Sequence, residues 1–197
     1  FLDAGIVTMC PSWRGENDNP GDFELFYGEV EDLMSALEHL KQVPYVDPDR
    51  VYLAGHSTGG TIALLGSVST SGFRAVFSFG GAPDLGLVVS DGRGYGNTPY
   101  DHRSTEETFY RSPINFVDLI VTPTFYFEGE ESAYCEDALQ MASKGKSSEV
   151  PFQAFIIKDG NHFNILHPLT RMIARKILAD TGDSCNISIG DQDIKLP

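Results

Sequence analysis

The sequence predicts an α/β fold in which a mostly parallel sheet carries helices on both faces. Short apolar runs alternate along the chain with segments whose apolar residues recur at helical spacing, and this alternation is typical of parallel strands joined by crossover helices. Hydrophobic residues make up 41% of the 197 residues, which is enough for one buried core. A Gly-x-Ser-x-Gly pattern at residues 55–59 stands between a predicted strand and a predicted helix.

The predicted strands are apolar runs bounded by Gly, Pro, Asp and other turn-forming residues. They lie at Ala4–Cys10, Val51–Ala54, Phe73–Phe79, Val121–Phe127 and Phe152–Lys158. The last of them is apolar on both faces, as expected of a strand covered on both sides.

The predicted helices show apolar residues at three- and four-residue intervals. They lie at Gly28–Val43, Thr58–Val68, Cys135–Ser143 and Leu166–Leu178. The segment Gly80–Pro113 is rich in Gly, Asp, Ser and Tyr and is predicted to be a long loop with an irregular or lid-like insertion. Residues 181–197 have no clear period and are predicted to be an irregular tail, with room for one edge strand.

Charge and cysteine content exclude several classes of function. The formal net charge is -14, from 28 acidic and 14 basic residues, so the surface repels nucleic acid and anionic lipid. No apolar run is as long as a membrane span. The three cysteines form no C-x-x-C pair, which argues against a zinc site and a disulfide scaffold. We therefore expect no nucleic-acid or membrane partner, no metal and no cofactor. Oligomeric state and localisation stay open, the cytoplasm being slightly favoured.

The pattern at residues 55–59 predicts a nucleophile elbow with Ser57 as the nucleophile. A serine on a tight turn between strand and helix projects its hydroxyl above the carboxyl edge of the sheet. Gly55 and Gly59 are expected to let the neighbouring backbone pass. The backbone N–H of Thr58, at a helix N-terminus, would face a developing oxyanion.

A general base is expected on the loop after the last strand. His162 lies there, within Asp159-Gly160-Asn161-His162-Phe163. The third member of a triad is a carboxylate that orients the imidazole and stabilises its charged form. Glu131, after the fourth strand, is the chosen candidate. The alternatives left open are Glu130, Glu128, Glu136 and, after the third strand, Asp84.

Four segments together resemble the catalytic domain of the prolyl oligopeptidase group of α/β-hydrolases. They are PSWRGENDNPGDF, VDPDRVYLAGHSTGG, RSPINFVDLIVTPTFYFEGEE and GNHFNIL, and in this order they cover most of residues 1–180. The resemblance implies an α/β-hydrolase-type sheet and a Ser–acid–His triad in that chain order, with Ser57 and His162 matching directly.

The sequence departs from that pattern at two places. The family's usual acid is an Asp three residues after the glycine that follows the fourth strand, and Ser132 occupies that position here. Family domains also have strands before the one at Ala4, and the loop after one of them supplies a second oxyanion donor. Residues 1–197 are therefore expected to form a single catalytic domain that is incomplete at its N-terminus, beginning at Phe1.

Trp13 and Arg14 follow the first predicted strand at the carboxyl edge of the sheet, where substrates bind in this architecture. They are candidate substrate-binding residues. The alternative is that Arg14 braces its loop through hydrogen bonds to backbone carbonyls.

These features predict a serine hydrolase that cleaves a small ester or a peptide bond through an acyl-enzyme on Ser57, with His162 as base. The alternatives are a small carboxylesterase without peptidase activity, a non-catalytic binding module of the same fold, and an acyltransferase.

Overall fold

The computed structural model describes residues 1–90 and 98–195. One four-stranded sheet has the order β1-β2-β3-β4, and each neighbouring pair is parallel. The strands are β1 (Tyr52–His56), β2 (Ala75–Phe79), β3 (Thr124–Gly129) and β4 (Phe152–Ile157). The predicted parallel sheet is confirmed, and all four strands end at the same edge.

The helices of the described residues include the four predicted ones. They are α1 (Gly28–Lys41), α2 (Thr58–Ser69), α3 (Leu85–Ser90), α4 (Thr105–Tyr110), α5 (Cys135–Ser147) and α6 (Leu166–Ala179), with 3₁₀ turns at Leu2–Ala4, Pro48–Arg50 and Pro113–Leu119. No described helix is long and apolar enough to cross a membrane.

The prediction of a long loop at Gly80–Pro113 is wrong in part, because α3 and α4 lie within it. Ser104 caps α4 by accepting a hydrogen bond from the Glu107 N–H at 3.2 Å. This pairing of a capping serine with acidic residues in the first turn is a helix-start signal. Residues 91–97, also part of the predicted loop, lie outside the described residues.

Helices cover both faces of the sheet. One face packs against α1, α2 and α5 through two clusters that contain Val76 and Tyr126. The other face carries a ladder of stacked phenylalanines and packs against α6. Neighbouring strand residues alternate between the two faces, so every strand is near-continuously apolar.

The predicted strand at Ala4–Cys10 is not a strand in the structure. β1 is the edge of the sheet, and the backbone groups of Tyr52, Ala54 and His56 point away from β2. In the described part of the chain no backbone hydrogen bond joins them to residues 6–10. A cavity of about 480 Å³ separates the two segments. Residues 6–10 therefore have strand-like composition but no partner to form a ladder.

The tail after α6 is irregular through residue 195, as predicted. A buried ion pair between Asp180 and Arg74 fixes the start of this tail. The Asp180 carboxylate accepts hydrogen bonds from Arg74 at 2.7 Å and from the Tyr52 hydroxyl at 2.7 Å, and its side chain is fully buried. Chiefly because of the Arg74 hydrogen bond, the pKa of Asp180 lies well below its usual range. Burial, followed by the bond to Asp180, raises the pKa of Tyr52 to about 12.

Replacing Asp180 by Asn should destabilise the fold by about 3 kcal/mol, because it leaves the Arg74 charge buried without its partner. Urea unfolding at pH 7 measures this loss. The pKa of Asp180 is lower in the folded state than in the unfolded state. The carboxylate therefore adds to the free energy of unfolding above its unfolded-state pKa, and this stabilisation is lost as pH falls. The difference between wild type and variant should therefore narrow below about pH 4.

Asp193→Asn is the matched control. Asp193 pairs with Lys176 at 2.9 Å, but both side chains are about 30% exposed, and such surface pairs contribute roughly 0–1 kcal/mol. Equal losses for the two variants would contradict the importance of the buried pair.

Candidate active site

Ser57 occupies a strained turn between β1 and α2. Its φ of 55° and ψ of -117° lie in a region that non-glycine residues rarely adopt. Its N–H donates to the carbonyl of Phe79 at the end of β2, and its carbonyl accepts from the Thr61 N–H at 3.0 Å. The predicted strand–turn–helix context of a nucleophile elbow is present, and the serine is half-buried.

Glycines make this turn possible, although not both of the expected ones. A Cβ at Gly55 would lie 2.0 Å from the Gly59 carbonyl oxygen, and one at Gly60 would lie 2.9 Å from the Phe79 oxygen. A Cβ at Gly59 would meet nothing within 4 Å. The expectation for Gly59 is therefore wrong, since the close backbone approaches are at Gly55 and Gly60.

His162 lies on the loop between β4 and α6, as the sequence predicts. Asn161 stabilises this loop, because its side-chain oxygen accepts from the N–H groups of Phe163 and Asn164 at 2.9 Å. The imidazole packs directly over Gly80, where a Cβ would lie 2.7 Å from both Cε1 and Nδ1. Gly80 has a φ of 62°, so this position requires glycine for two reasons.

His56 connects the elbow to the histidine loop. Its Nε2 lies 2.9 Å from the His162 carbonyl oxygen, and the two ring centroids are 4.7 Å apart. Because a carbonyl only accepts, this Nε2 carries the proton. Ser57 follows His56 directly, so this contact brings the two predicted catalytic residues to the same end of the sheet. No sequence pattern singles out His56, since only the fold reveals its contact with His162.

The His162 imidazole is in a poorly solvated site. Burial above all, and then the charge of His56, lower the pKa of His162. Its Nδ1 is buried and has no hydrogen-bond partner among the described residues. A lowered pKa favours the neutral imidazole, which is the form that can accept a proton.

Two aromatic side chains flank His162. The rings of Tyr134 and Phe163 meet it edge-on, at centroid distances of 5.9 and 5.0 Å. Phe163 is 70% exposed although it lies beside a half-buried histidine. No sequence pattern identified either residue, because their relation to His162 depends on the packing of two loops.

The carboxylates considered as the third member occupy different surroundings. Glu131 and Glu136 are exposed, and neither carboxylate makes a hydrogen bond within the described residues. Glu130 accepts from the Asp159 N–H at 3.1 Å, and Asp84 accepts from the Gly86 N–H at the start of α3 at 2.9 Å. Glu128, the penultimate residue of β3, is fully buried.

Arg14 braces its loop against α1. Its guanidinium contacts Asp32 at 2.8 Å and also reaches Glu24 and Glu31. The Asp32 hydrogen bond is the main reason that the pKa of Arg14 is raised. Arg14 therefore braces its loop, as the alternative expected, but its partners are carboxylates and not backbone carbonyls. Trp13 packs against the core cluster between α1 and α2.

The described residues contain no group of three or more His, Cys, Asp or Glu side chains placed to hold a metal ion. All three cysteines are free.

Comparison with known proteins identifies the family. The sequence pattern of the prolyl oligopeptidase family matches residues 1–178. The chain belongs to the prolyl oligopeptidase family. This confirms the resemblance, and it supports the prediction that the protein is a serine hydrolase.

Individual family members and structures agree with this assignment. The Bacillus subtilis protein named uncharacterized peptidase YtmA is 27% identical over 174 residues, which are 83% of this chain and 67% of that protein. Acylaminoacyl peptidase from Pyrococcus horikoshii has a TM-score of 0.72 over 86% of this chain and 30% of its own, at 15% identity. The Pyrococcus furiosus esterase Pf2001 has a TM-score of 0.63 over 84% of this chain and 66% of its own, at 15% identity. The chain thus spans about two thirds of the Bacillus protein and under a third of the acylaminoacyl peptidase, and the two structures share its α/β-hydrolase-type fold.

Gly55→Ala should disrupt the elbow, because its Cβ would overlap the Gly59 carbonyl. We expect a loss of thermal stability and of any activity at Ser57. Gly59→Ala is the control, since its Cβ enters open space near the start of α2. Thermal unfolding of both variants tests this, and equal tolerance of the two would contradict the close approach at Gly55.

Proposed function

We propose that this protein hydrolyses peptide or ester bonds through an acyl-enzyme on Ser57, with His162 as general base. The observation that carries the proposal is the strained Ser57 turn, joined through the His56 contact to a half-buried His162 whose pKa is lowered. A strained serine next to a histidine of lowered pKa is an arrangement for nucleophilic catalysis.

The reaction follows from the placement of these groups. Ser57 Oγ attacks the substrate carbonyl while His162 accepts its proton, and His162 then returns that proton to the leaving group. Because Nδ1 is buried over Gly80, Nε2 is the nitrogen that would face Ser57. The Thr58 N–H, at the first residue of α2, would stabilise the oxyanion. Water attacks the acyl-enzyme with His162 again as base.

The substrate is a peptide or a small ester that reaches Ser57 past an aromatic rim. Phe163 and Tyr134 stand beside His162, and an exposed aromatic ring at this point offers apolar contact to a substrate side chain or acyl group. The family match supports a peptidase, whereas the likeness to Pf2001 supports an esterase as the second candidate. Trp13 and Arg14 would act on this site by fixing the loop over α1.

We also propose that the catalytic domain is completed by a further strand beside β1. The outward-facing backbone groups of β1 and the cavity of about 480 Å³ between β1 and residues 6–10 support this expectation. An unpaired strand edge is a ready template for another strand.

A fluorophosphonate probe tests the nucleophile. We expect it to modify Ser57 stoichiometrically, as located by peptide mass spectrometry, and Ser57→Ala to prevent both labelling and hydrolysis of p-nitrophenyl esters and peptide amides. Ser35→Ala, on the exposed side of α1, serves as the control and should label like the wild type. An unlabelled Ser57 in the folded protein would contradict the proposal and favour a non-catalytic binding module.

The pH dependence of hydrolysis tests the base. His162 must be neutral to accept a proton, and its pKa is lowered by burial. The rising limb of kcat/KM should therefore lie below the ordinary histidine value of about 6.5. A limb above that value, or one that persists in His162→Gln, would contradict the assignment.

A further inference from the structure

We propose that Glu128 is the positioning carboxylate for His162, acting on Nδ1 in place of an Asp at position 132. The proposal rests on the proposed role of His162 as base. It assigns the third member of the triad to a residue on the end of β3 itself, not to the loop after it.

Glu128 and His162 border the same small space above Gly80. A Cβ at Gly80 would lie 2.7 Å from His162 Nδ1 and 3.6 Å from Glu128 Oε2. Both atoms are buried, and the absence of a side chain at Gly80 leaves the path between them open. No other carboxylate oxygen is among the nearest atoms to that position.

In this space Glu128 Oε2 can accept a further hydrogen bond, and His162 Nδ1 can donate one. Glu128 Oε1 accepts from the Gly129 N–H at 2.9 Å. Oε2 lies 3.1 Å from the Tyr126 hydroxyl, but that hydroxyl is closer to the Gly81 carbonyl, at 2.6 Å. A phenol has one proton, and the shorter distance favours the Gly81 carbonyl as its acceptor. A carboxylate oxygen has two acceptor sites, so Oε2 can accept from a further donor. Among the described residues, His162 Nδ1 is a buried group without a partner.

Ser132 explains how the usual acid position is used here. Its side chain lies near the Glu128 carboxylate and lowers the pKa of that group. The residue at position 132 thus favours the anionic form of the substituting carboxylate, as a residue that supports a catalytic group does.

Four titratable groups lie near Glu128. They are Tyr126 on β3, Cys135 and Asp137 in the first turn of α5, and His162 across Gly80. The Gly129 N–H donates to its carboxylate. Burial chiefly raises the pKa of Glu128, and Asp137 adds to this. A buried carboxylate is most stable as an anion beside a cation, and the imidazolium formed during catalysis supplies that charge.

Glu128→Gln is the direct test, since it keeps the side-chain shape and removes the charge. With the wrong partner on Nδ1, kcat/KM should fall about 10³–10⁴-fold, as expected for loss of a triad carboxylate. The rising limb of the pH profile should also move to lower pH, because the anion that favours the imidazolium is gone. Glu38→Gln, on the outer side of α1, is the matched control and should retain wild-type kinetics.

Glu131→Gln and Asp137→Asn are the discriminating arms. The proposal is overturned if kcat/KM falls about 10³–10⁴-fold in either of these variants but not in Glu128→Gln. If Ser57→Ala abolishes hydrolysis and Glu128→Gln retains it, the role of Glu128 is wrong while the proposed function stands. If Ser57→Ala remains active, the proposed function fails as well.

A rescue variant separates catalysis from folding. Glu128→Gln/Ser132→Asp returns one carboxylate to the same space, and its kcat/KM should exceed that of Glu128→Gln/Ser132→Asn at least tenfold. Thermal unfolding of both double variants confirms that they are folded equally well. Equal activities in equally stable double variants would overturn the proposal, even where Glu128→Gln alone is too unstable to assay.

Discussion

The close crossing of backbones between β1 and α2 is the constraint on which the rest of the site depends. A turn with Ser57 at a φ of 55° forms only because Gly55 and Gly60 let carbonyl groups approach to distances that any side chain would block. The bond from the Ser57 N–H to the Phe79 carbonyl then fixes this turn to the end of β2. The strained backbone is held in place by two strands and a buried helix.

The sheet brings distant parts of the chain to that turn. All strands are parallel, so the residues that follow them gather at one edge. His162 follows β4 and reaches back over Gly80 after β2. Glu128 is the penultimate residue of β3, which lies between β2 and β4. Burial in this layer lowers the pKa of His162 and raises that of Glu128. Such opposed environments are typical of catalytic pairs.

Sequence periodicity predicted the four long helices and the four strands of the sheet, because each buries a stripe or a face of apolar residues. The motif at residues 55–59 and the position of His162 after the last strand could also be predicted, since both depend on chain order. The predicted strand at Ala4–Cys10 was wrong, because a strand needs a neighbouring strand to pair with and composition alone does not supply one. The surroundings of the carboxylates were hidden for a similar reason. Position after a strand favoured Glu131, whereas burial on β3 and a position beside the space above Gly80 distinguish Glu128.

The central claim is that a nucleophilic Ser57 works with a His162 whose Nδ1 is held by Glu128. A crystal structure of the protein inactivated by a fluorophosphonate would test it most directly. We expect phosphorus bonded to Ser57 Oγ, His162 Nε2 facing that oxygen, and His162 Nδ1 within about 3 Å of Glu128 Oε2. An adduct on another residue, or a His162 Nδ1 that bonds to Glu131, Asp137 or water in place of Glu128, would contradict it.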